Sequence, residues 1–153
     1  MTWTPLTPDD LLSSITFRER EDFAKISTTL GVPDRVIPLL ADLVAEIRGY
    51  IATWSPNTLS ADPTLIPPSF KAKALSIARW RLLITIPGYD PKEARKLDFE
   101  KADAFFMAVA KGQIRPEPAD DAIVTGVPSE KPAGVQIVSG PGSRTGRERM
   151  DGI

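Results

Sequence analysis

The side chains that carry most acid–base and nucleophilic chemistry are scarce in this 153-residue sequence. It contains no His and no Cys, so the commonest general base, the commonest metal ligand and the thiolate nucleophile are all missing. Carboxylates remain as candidates for acid–base work, and two adjacent pairs occur, Asp9-Asp10 and Asp120-Asp121. Neighbouring residues do not share a face of a helix or a strand, so adjacency alone does not make a catalytic dyad. We therefore expect no catalytic residue, no metal site and no cofactor.

A glycine-rich stretch near the C-terminus, Gly140–Gly146, invites comparison with phosphate-binding loops. A nucleotide-binding loop of that type ends in Gly-Lys followed by Ser or Thr, and it lies between a strand and a helix. This stretch lacks the Gly-Lys ending, and no strand–helix pattern encloses it. A phosphate-binding loop is therefore not expected.

Two Arg-containing segments suggest a different chemistry, the recognition of nucleic acid. Arg79-Trp80-Arg81 combines guanidinium groups with a ring that could stack on bases. We favour a simpler interpretation, a helix whose Trp packs inward while both Arg side chains reach solvent or acids, and we interpret Arg18–Asp22 as a solvated helix face. The net charge of −1 also differs from the basic excess of dedicated nucleic-acid binders. A small helical nucleic-acid-binding or regulatory protein, using Arg79, Arg81 and the C-terminal Arg cluster, stays the alternative function.

The elements that would position these residues are helices. Thr7 and Asp10 have the spacing of a capping box, and Thr16 and Glu19 repeat it. These signals predict two short helices, the second ending near Ser27. Apolar spacing, with Pro and Gly near the ends, predicts three long helices: Pro33–Trp54, Pro68–Ile86 and Asp90–Gly112. The predicted fold class is mainly α, a small bundle of two short and three long helices.

The first long helix has the clearest apolar stripe, with residues spaced by three and four: Ile37, Leu40, Val44, Ile47, Ile51 and Trp54. This stripe predicts the face that packs on the core. Gly49, inside the same helix, is interpreted as a point of close packing. The Pro-rich stretch Ser55–Pro68 is predicted to be a loop. Asp90 is predicted to cap the last helix, which Gly112 ends.

The core-forming pattern stops near residue 114, and this sets the predicted domain organisation. Residues 115–153 contain no aromatic residue and many Pro and Gly, so they cannot bury enough apolar surface to offset their own ordering entropy. We predict a helical body, residues 1–114, and an extended docking tail, residues 115–153, which needs another surface to lie on.

Two groups of tail residues are candidates for binding a partner. The β-branched runs at 122–125 and 135–138 could each add a short strand to the edge of a partner's sheet; the residues concerned are Ile123, Val124, Val135, Ile137 and Val138. The terminal cluster combines basic charge with apolar anchors; its predicted contact residues are Arg144, Arg147, Arg149, Met150 and Ile153. Both groups predict docking on a neighbouring subunit or on another protein.

Four segments taken together resemble a family of bacteriophage proteins. They are Ala41–Ile51, Ala74–Leu82, the last predicted helix from Arg95 to Gly112, and the terminus Gly146–Ile153. Their order and spacing are similar to those of the Mu-like family of small head–tail joining proteins, over about residues 35–114 and the terminus. The sequence has Trp80 where that family usually has Tyr.

The resemblance implies structural work in a virion rather than catalysis. Proteins of this kind are head–tail connectors, or adaptors, that form a ring beneath the portal after DNA packaging and offer a platform for the tail. The implied partners are other copies of the chain in a dodecameric ring, the portal protein, and the tail-terminator or other neck proteins. Packaged DNA would pass through the ring without sequence-specific contact. The implied location is the virion neck, after synthesis in the host cytoplasm, with no membrane partner.

Overall fold

A computed structural model describes residues 2–30, 35–90 and 92–123. The fold is mainly helical, as the sequence predicts. The described residues form five α-helices: α1 Pro8–Ser14, α2 Phe17–Leu30, α3 Val36–Thr53, α4 Lys71–Leu83 and α5 Glu93–Ala110. A single 3-10 turn, Pro68–Phe70, leads into α4. Four two-residue strands complete these elements: β1 Thr4–Pro5, β2 Leu59–Ser60, β3 Leu65–Ile66 and β4 Ala122–Ile123.

The first two helices begin where the capping boxes predict. In α1 the Thr7 amide donates to Asp10 Oδ2 over 3.0 Å, and the Asp10 amide donates to Thr7 Oγ1 over 3.3 Å. In α2 the Thr16 amide donates to Glu19 Oε2 over 2.7 Å, and the Glu19 amide donates to Thr16 Oγ1 over 3.4 Å. Both boxes satisfy amides that a helix start leaves without an intrahelical partner. Helix α2 then runs to Leu30, so it is longer than predicted.

The last helix begins later than predicted. Its N-cap is Lys92, which makes no side-chain capping hydrogen bond, so Asp90 is not the cap. Tyr89, which precedes Asp90, makes two hydrogen bonds to other parts of the chain: its amide donates to Ile86 O, and its hydroxyl donates to Glu19. The other end agrees with the prediction, because Gly112 follows the helix with a φ of +71°, a conformation that favours glycine.

The core forms where α3, α4 and α5 pack against one another, with α1 lying on α3 and α4. Small residues on α4 and α5, namely Ala74, Ala78 and Ala102, are fully buried and allow the helices to approach closely. Larger side chains fill the remaining space. Phe70 meets Phe105 and Phe106 edge-to-face, with ring centroids 5.1 and 5.8 Å away, a geometry that aromatic pairs prefer.

The inward face of α3 differs in part from the predicted stripe. Leu40, Val44, Ile47 and Ile51 are buried as expected, but Ile37 is 60% exposed, and Trp54, which follows the last helical residue Thr53, is 36% exposed. The positions that complete the buried face are Val36 and Leu43. The helix therefore presents a wide inward face, because α4, α5 and the N-terminal segment all pack on it.

Gly49 and Gly112 differ in how closely other atoms approach them. A Cβ added at Gly49 would meet no atom within 4 Å, so the prediction of close packing there was wrong. A Cβ added at Gly112 would clash with the Trp54 ring. The close approach of two elements therefore occurs at the end of α5, where the Trp54 ring covers the turn.

The stretch predicted as a loop, Ser55–Pro68, contains two strands. β3 pairs antiparallel with β1, and β2 pairs antiparallel with β4. Arg48 of α3 holds this stretch through its guanidinium group: Nη1 donates to the carbonyls of Asp62 and Leu65 over 2.9 and 3.0 Å, and Nη2 donates to that of Ser60 over 2.8 Å. The same guanidinium carbon lies 5.8 Å from the centre of the Trp3 ring.

The helical body does not end at residue 114, because the next residues pack on it. Trp3 Nε1 donates to the Glu117 carbonyl over 2.9 Å, and Ala119 is buried in the core. Ser60 Oγ donates to Asp121 Oδ2 over 2.8 Å. Residues 115–123 therefore pack on the helical body.

Candidate interaction surfaces

Three of the carboxylates considered for catalysis, Asp10, Asp120 and Asp121, have structural partners. Asp10 accepts hydrogen bonds in its capping box and pairs with Lys71 Nζ at 2.8 Å. The Lys71 ammonium and the Thr7 hydroxyl lower the Asp10 pKa from its ordinary 3.8 to about 2. Asp120 accepts from Thr2 at 3.0 Å, whereas Asp121 caps the turn at Ser60 and Ala61. Asp120 and Asp121 therefore bond to different parts of the chain.

A metal centre would need several ligands converging on one position. Throughout the part of the chain that the structure describes, no group of three acidic side chains is arranged to hold a metal ion. Several acidic residues instead cap helices or pair with basic side chains, as Asp10, Asp98 and Glu46 do.

The two Arg residues of the alternative function are both paired with acids. Arg79 donates through Nη2 to Asp98 Oδ2 and through Nη1 to the Ser14 carbonyl, each over 3.1 Å. Arg81 Nη2 lies 2.7 Å from Glu46 Oε2. Between them, Trp80 stacks on Phe99 with ring centroids 5.5 Å apart. This arrangement agrees with the simpler interpretation, in which the ring packs on its neighbours and the Arg side chains face acids.

Arg18–Asp22 is not simply a solvated helix face, because Glu19 is only 6% exposed. Its carboxylate accepts from the Thr16 amide, from the Tyr89 hydroxyl at 2.9 Å and from Arg95 Nη2 at 2.9 Å. Burial acts to raise the Glu19 pKa, but these hydrogen bonds outweigh it and lower the pKa from 4.5 to about 2. The prediction for this residue was wrong because its partners are distant in sequence.

A cavity of about 590 Å³ opens beside this carboxylate, between the start of α2 and the start of α5. Charged side chains of both signs line it: Arg18, Lys92 and Arg95 against Glu19, Asp22, Asp90 and Asp98. Several of these groups neutralise one another within the chain, as in the Glu19–Arg95 pair. The cavity therefore does not favour a ligand of one charge.

An open groove with almost entirely apolar walls lies between the N-terminal segment, α3 and the turn at Pro63–Thr64. We call it the α3 groove. Its volume is about 430 Å³, within the range of binding pockets. Its floor is formed by the buried residues Leu6, Leu40 and Val44, and its exposed rim includes Ile37 and Ala41.

Other apolar side chains are exposed singly on different elements. They are Phe17 at the start of α2, Ile84 just after α4, and Leu97 and Met107 on α5. The last two are separated by roughly 15 Å along the helix axis at 1.5 Å per residue. Single exposed apolar residues are common on protein surfaces, so the α3 groove, where apolar residues of three segments lie together, is the stronger candidate for an interaction surface.

Only one of the predicted tail contacts falls within the described part of the chain. Ile123 lies in β4 and pairs with Leu59 of the same chain, so its strand partner is internal rather than a second protein. The other predicted contacts lie outside the described residues: Val124, Val135, Ile137, Val138, Arg144, Arg147, Arg149, Met150 and Ile153.

Sequence reasoning missed the α3 groove because its walls come from three separated segments. A partial signal was available. Val36 and Ile37 are adjacent apolar residues in a helix, and adjacent residues do not share one helix face, so one of the two is expected to face outward. The apolar residues before α1, Pro5 and Leu6, supply the facing wall and follow no periodic pattern.

No helix among the described residues combines the length and the hydrophobicity needed to cross a bilayer. Comparison of the chain with models of known protein families, with curated proteins and with solved structures gave no match.

Proposed function

We propose that this chain is a structural protein of a tailed-phage virion: a head–tail adaptor that forms a ring beneath the portal and joins the filled head to the tail. The segments that resemble the Mu-like head–tail joining family support this proposal. Ala41–Ile51 lies in α3, Ala74–Leu82 lies in α4, and the third segment spans α5. The resemblance therefore concerns the three helices that pack into the core.

The observation that carries the proposal in the structure is the α3 groove. Its apolar walls remain open in the single chain, with Ile37 60% exposed at the rim. A contiguous apolar surface of this kind is expected where another protein chain docks. A ring of identical subunits supplies such a chain at every position, and its repeated contacts make weak docking sufficient.

The charged residues singled out for chemistry also fit a structural role. Asp10 and Glu19 cap helices and pair with basic side chains. Arg79 and Arg81 pair with Asp98 and Glu46 across the helical body. To bind nucleic acid, these two guanidinium groups would have to leave carboxylates of the same chain, which makes the alternative function less favourable.

The mass of the full-length protein tests the proposal. We expect a ring-sized multimer, a dodecamer, when the protein is mixed with the portal protein encoded by the same genome, by light scattering after size exclusion and by negative-stain images. A portal protein from an unrelated phage is the matched control and should give no complex. A protein that stays monomeric and does not bind its portal at any accessible concentration would contradict the proposal.

A binding assay with duplex DNA tests the alternative. At about 50 mM salt, a nucleic-acid-binding protein should bind DNA, and its affinity should fall steeply as salt rises. Replacing Arg79 and Arg81 by Gln should then weaken binding. Under our proposal the wild-type protein shows no such salt-dependent binding.

A further inference from the structure

We propose that the α3 groove of one subunit receives the Val135–Val138 segment of a neighbouring copy. This inference rests on the proposed ring, since it names the contact by which each subunit holds the tail of the next.

The chemistry of the groove sets the kind of occupant it can take. Eight of its nine lining residues are apolar, the exception being Thr64. The floor residues Leu6, Leu40 and Val44 offer no charged group and no side-chain hydrogen bond. The occupant must therefore be a short segment with a few apolar side chains and no charge, because an unpaired charge placed there would lose its hydration.

The sequence after Ile123 contains a segment with these properties. Residues 133–143 carry no charged side chain, and within them Val135, Ile137 and Val138 are β-branched. β-branched residues favour extended backbone, in which alternate side chains point to the same side. Val135 and Ile137 would thus enter the groove together. The terminal cluster Arg144–Ile153 is far more charged and fits the groove less well.

The direction in which the chain leaves the body favours a neighbouring copy as the acceptor. In the antiparallel pair of β2 and β4, Leu59 lies opposite Ile123 and Ser60 lies opposite Ala122. Strand β4 itself therefore runs, from Ala122 to Ile123, in the direction of Thr58 and away from Pro63 and Thr64 at the groove of the same chain.

The length of the connecting segment allows it to reach an adjacent subunit. About a dozen residues separate Ile123 from Val135, and an extended chain spans at most about 3.5 Å per residue, or roughly 40 Å in total. Pro128 and Pro132 lie in this connection and favour an extended, semi-rigid spacer. This reach matches the spacing of neighbouring domains of about this size.

Engineered cysteines test the contact directly, because the native chain has no Cys to give background disulfides. Ala41→Cys places a thiol on the exposed rim of the groove, and Ile137→Cys places one in the tail segment. The two single variants of the full chain, one carrying a removable tag to change its mass, are mixed with the portal protein and oxidised. We expect a covalent heterodimer at several-fold higher yield than in a control mixture of Ile84→Cys with Ile137→Cys.

The outcomes separate this inference from the proposed function. If the protein forms its multimer but the Ala41 mixture gives no more heterodimer than the Ile84 mixture, the groove contact is wrong while the adaptor role stands. If the double variant Ala41→Cys/Ile137→Cys forms disulfides only within one chain, the neighbouring acceptor is wrong. A protein that forms no multimer at all overturns both proposals.

A second pair of variants checks the groove without a covalent bond. Ile37→Glu puts a charge on the groove rim, and Ile84→Glu puts one at a similarly exposed site outside it, at 60% and 53% exposure in the native chain. We expect Ile37→Glu to raise the protein concentration needed for half-assembly at least tenfold, and Ile84→Glu to leave it unchanged. Equal effects of the two variants would overturn the inference.

Discussion

Glu19 joins three parts of the helical body through one buried carboxylate. It accepts hydrogen bonds from Thr16 at the start of α2, from Tyr89 in the turn before α5, and from Arg95 on α5. Its pKa in the folded protein is about 2, below the ordinary 4.5. Because the folded-state pKa is the lower one, the ionised carboxylate stabilises the fold fully above about pH 4.5, and this contribution is lost as the pH falls toward 2.

We predict that Glu19→Gln lowers the free energy of unfolding at pH 7 by about 2 to 3 kcal/mol. The variant loses the ion pair and leaves Arg95 without its carboxylate. The difference from the wild type should shrink as the pH is lowered from 4.5 toward 2, in urea titrations at several pH values. Glu21→Gln, at an exposed site on the same helix, is the control. A difference independent of pH would contradict the assignment.

The two glycines with different surroundings give a second prediction at the scale of single residues. Gly112→Ala should lower the unfolding free energy by about 1 to 3 kcal/mol, because alanine resists a φ of +71° and its Cβ would meet the Trp54 ring. Gly49→Ala should raise it by about 0.5 to 1 kcal/mol, since an exposed helix interior favours alanine. Thermal unfolding should show the two melting temperatures moving in opposite directions, and a shift of both in one direction would refute the prediction.

At the scale of structural elements, one side chain holds the 59–66 segment against α3. Its strands have two residues each, too few to be stable by pairing alone. Arg48 supplies donors for three of its carbonyls. The planar guanidinium group reaches these acceptors from fixed directions, which the single ammonium of lysine cannot reproduce.

We therefore predict that Arg48→Lys lowers the unfolding free energy by about 1 to 3 kcal/mol. Backbone amides of residues 59–66 should also exchange with solvent faster than in the wild type, as measured by hydrogen exchange. Arg81→Lys is the matched control, because Arg81 pairs with Glu46 at a partly exposed site where ion pairs contribute little. Unchanged exchange in the 59–66 segment would show that Arg48 does not hold it.

The helix starts show which parts of the fold a sequence can reveal. The capping boxes at Thr7 and Thr16 were predictable because each lies within four consecutive residues. Asp90 has a similar pattern, yet α5 begins at Glu93. Here a distant contact decides the outcome, since the Tyr89 hydroxyl binds Glu19 and fixes the chain before the helix. Local chemistry predicts a helix start only where no such contact competes with it.

The strands and the 115–123 segment could not be predicted because their contacts are also with residues distant in the sequence. Ile123 pairs with Leu59, and Trp3 donates to Glu117, residues that lie far apart in the sequence. Residues 115–123 have few apolar side chains and two prolines, so their composition resembles that of an extended tail. Their order comes from hydrogen bonds to the body rather than from a core of their own, and no local pattern reports such bonds.

At the scale of the whole molecule, the N-terminal residues of the body hydrogen-bond to its C-terminal residues. Trp3 is buried against Arg48 and donates to Glu117, while Thr2 donates to Asp120. Asp121 accepts from Ser60 and from the Ala61 amide. These contacts fix the position of Ala122 and Ile123, which form β4, on the body. In a ring, every tail would then leave its subunit at an equivalent position and in an equivalent direction.

This arrangement predicts different results for two truncations. A chain ending at Ile123 keeps the β2–β4 pair, the Trp3–Glu117 hydrogen bond and buried Ala119, so its unfolding free energy should stay within about 1 kcal/mol of the full-length value. A chain ending at Ile114 loses these contacts and uncovers Trp3, which should cost at least about 3 kcal/mol. Urea unfolding followed by tryptophan fluorescence measures both. Under the proposed function the chain ending at Ile123 is folded yet forms no multimer with the portal. Equal stability of the two truncated chains would mean that residues 115–123 do not belong to the body.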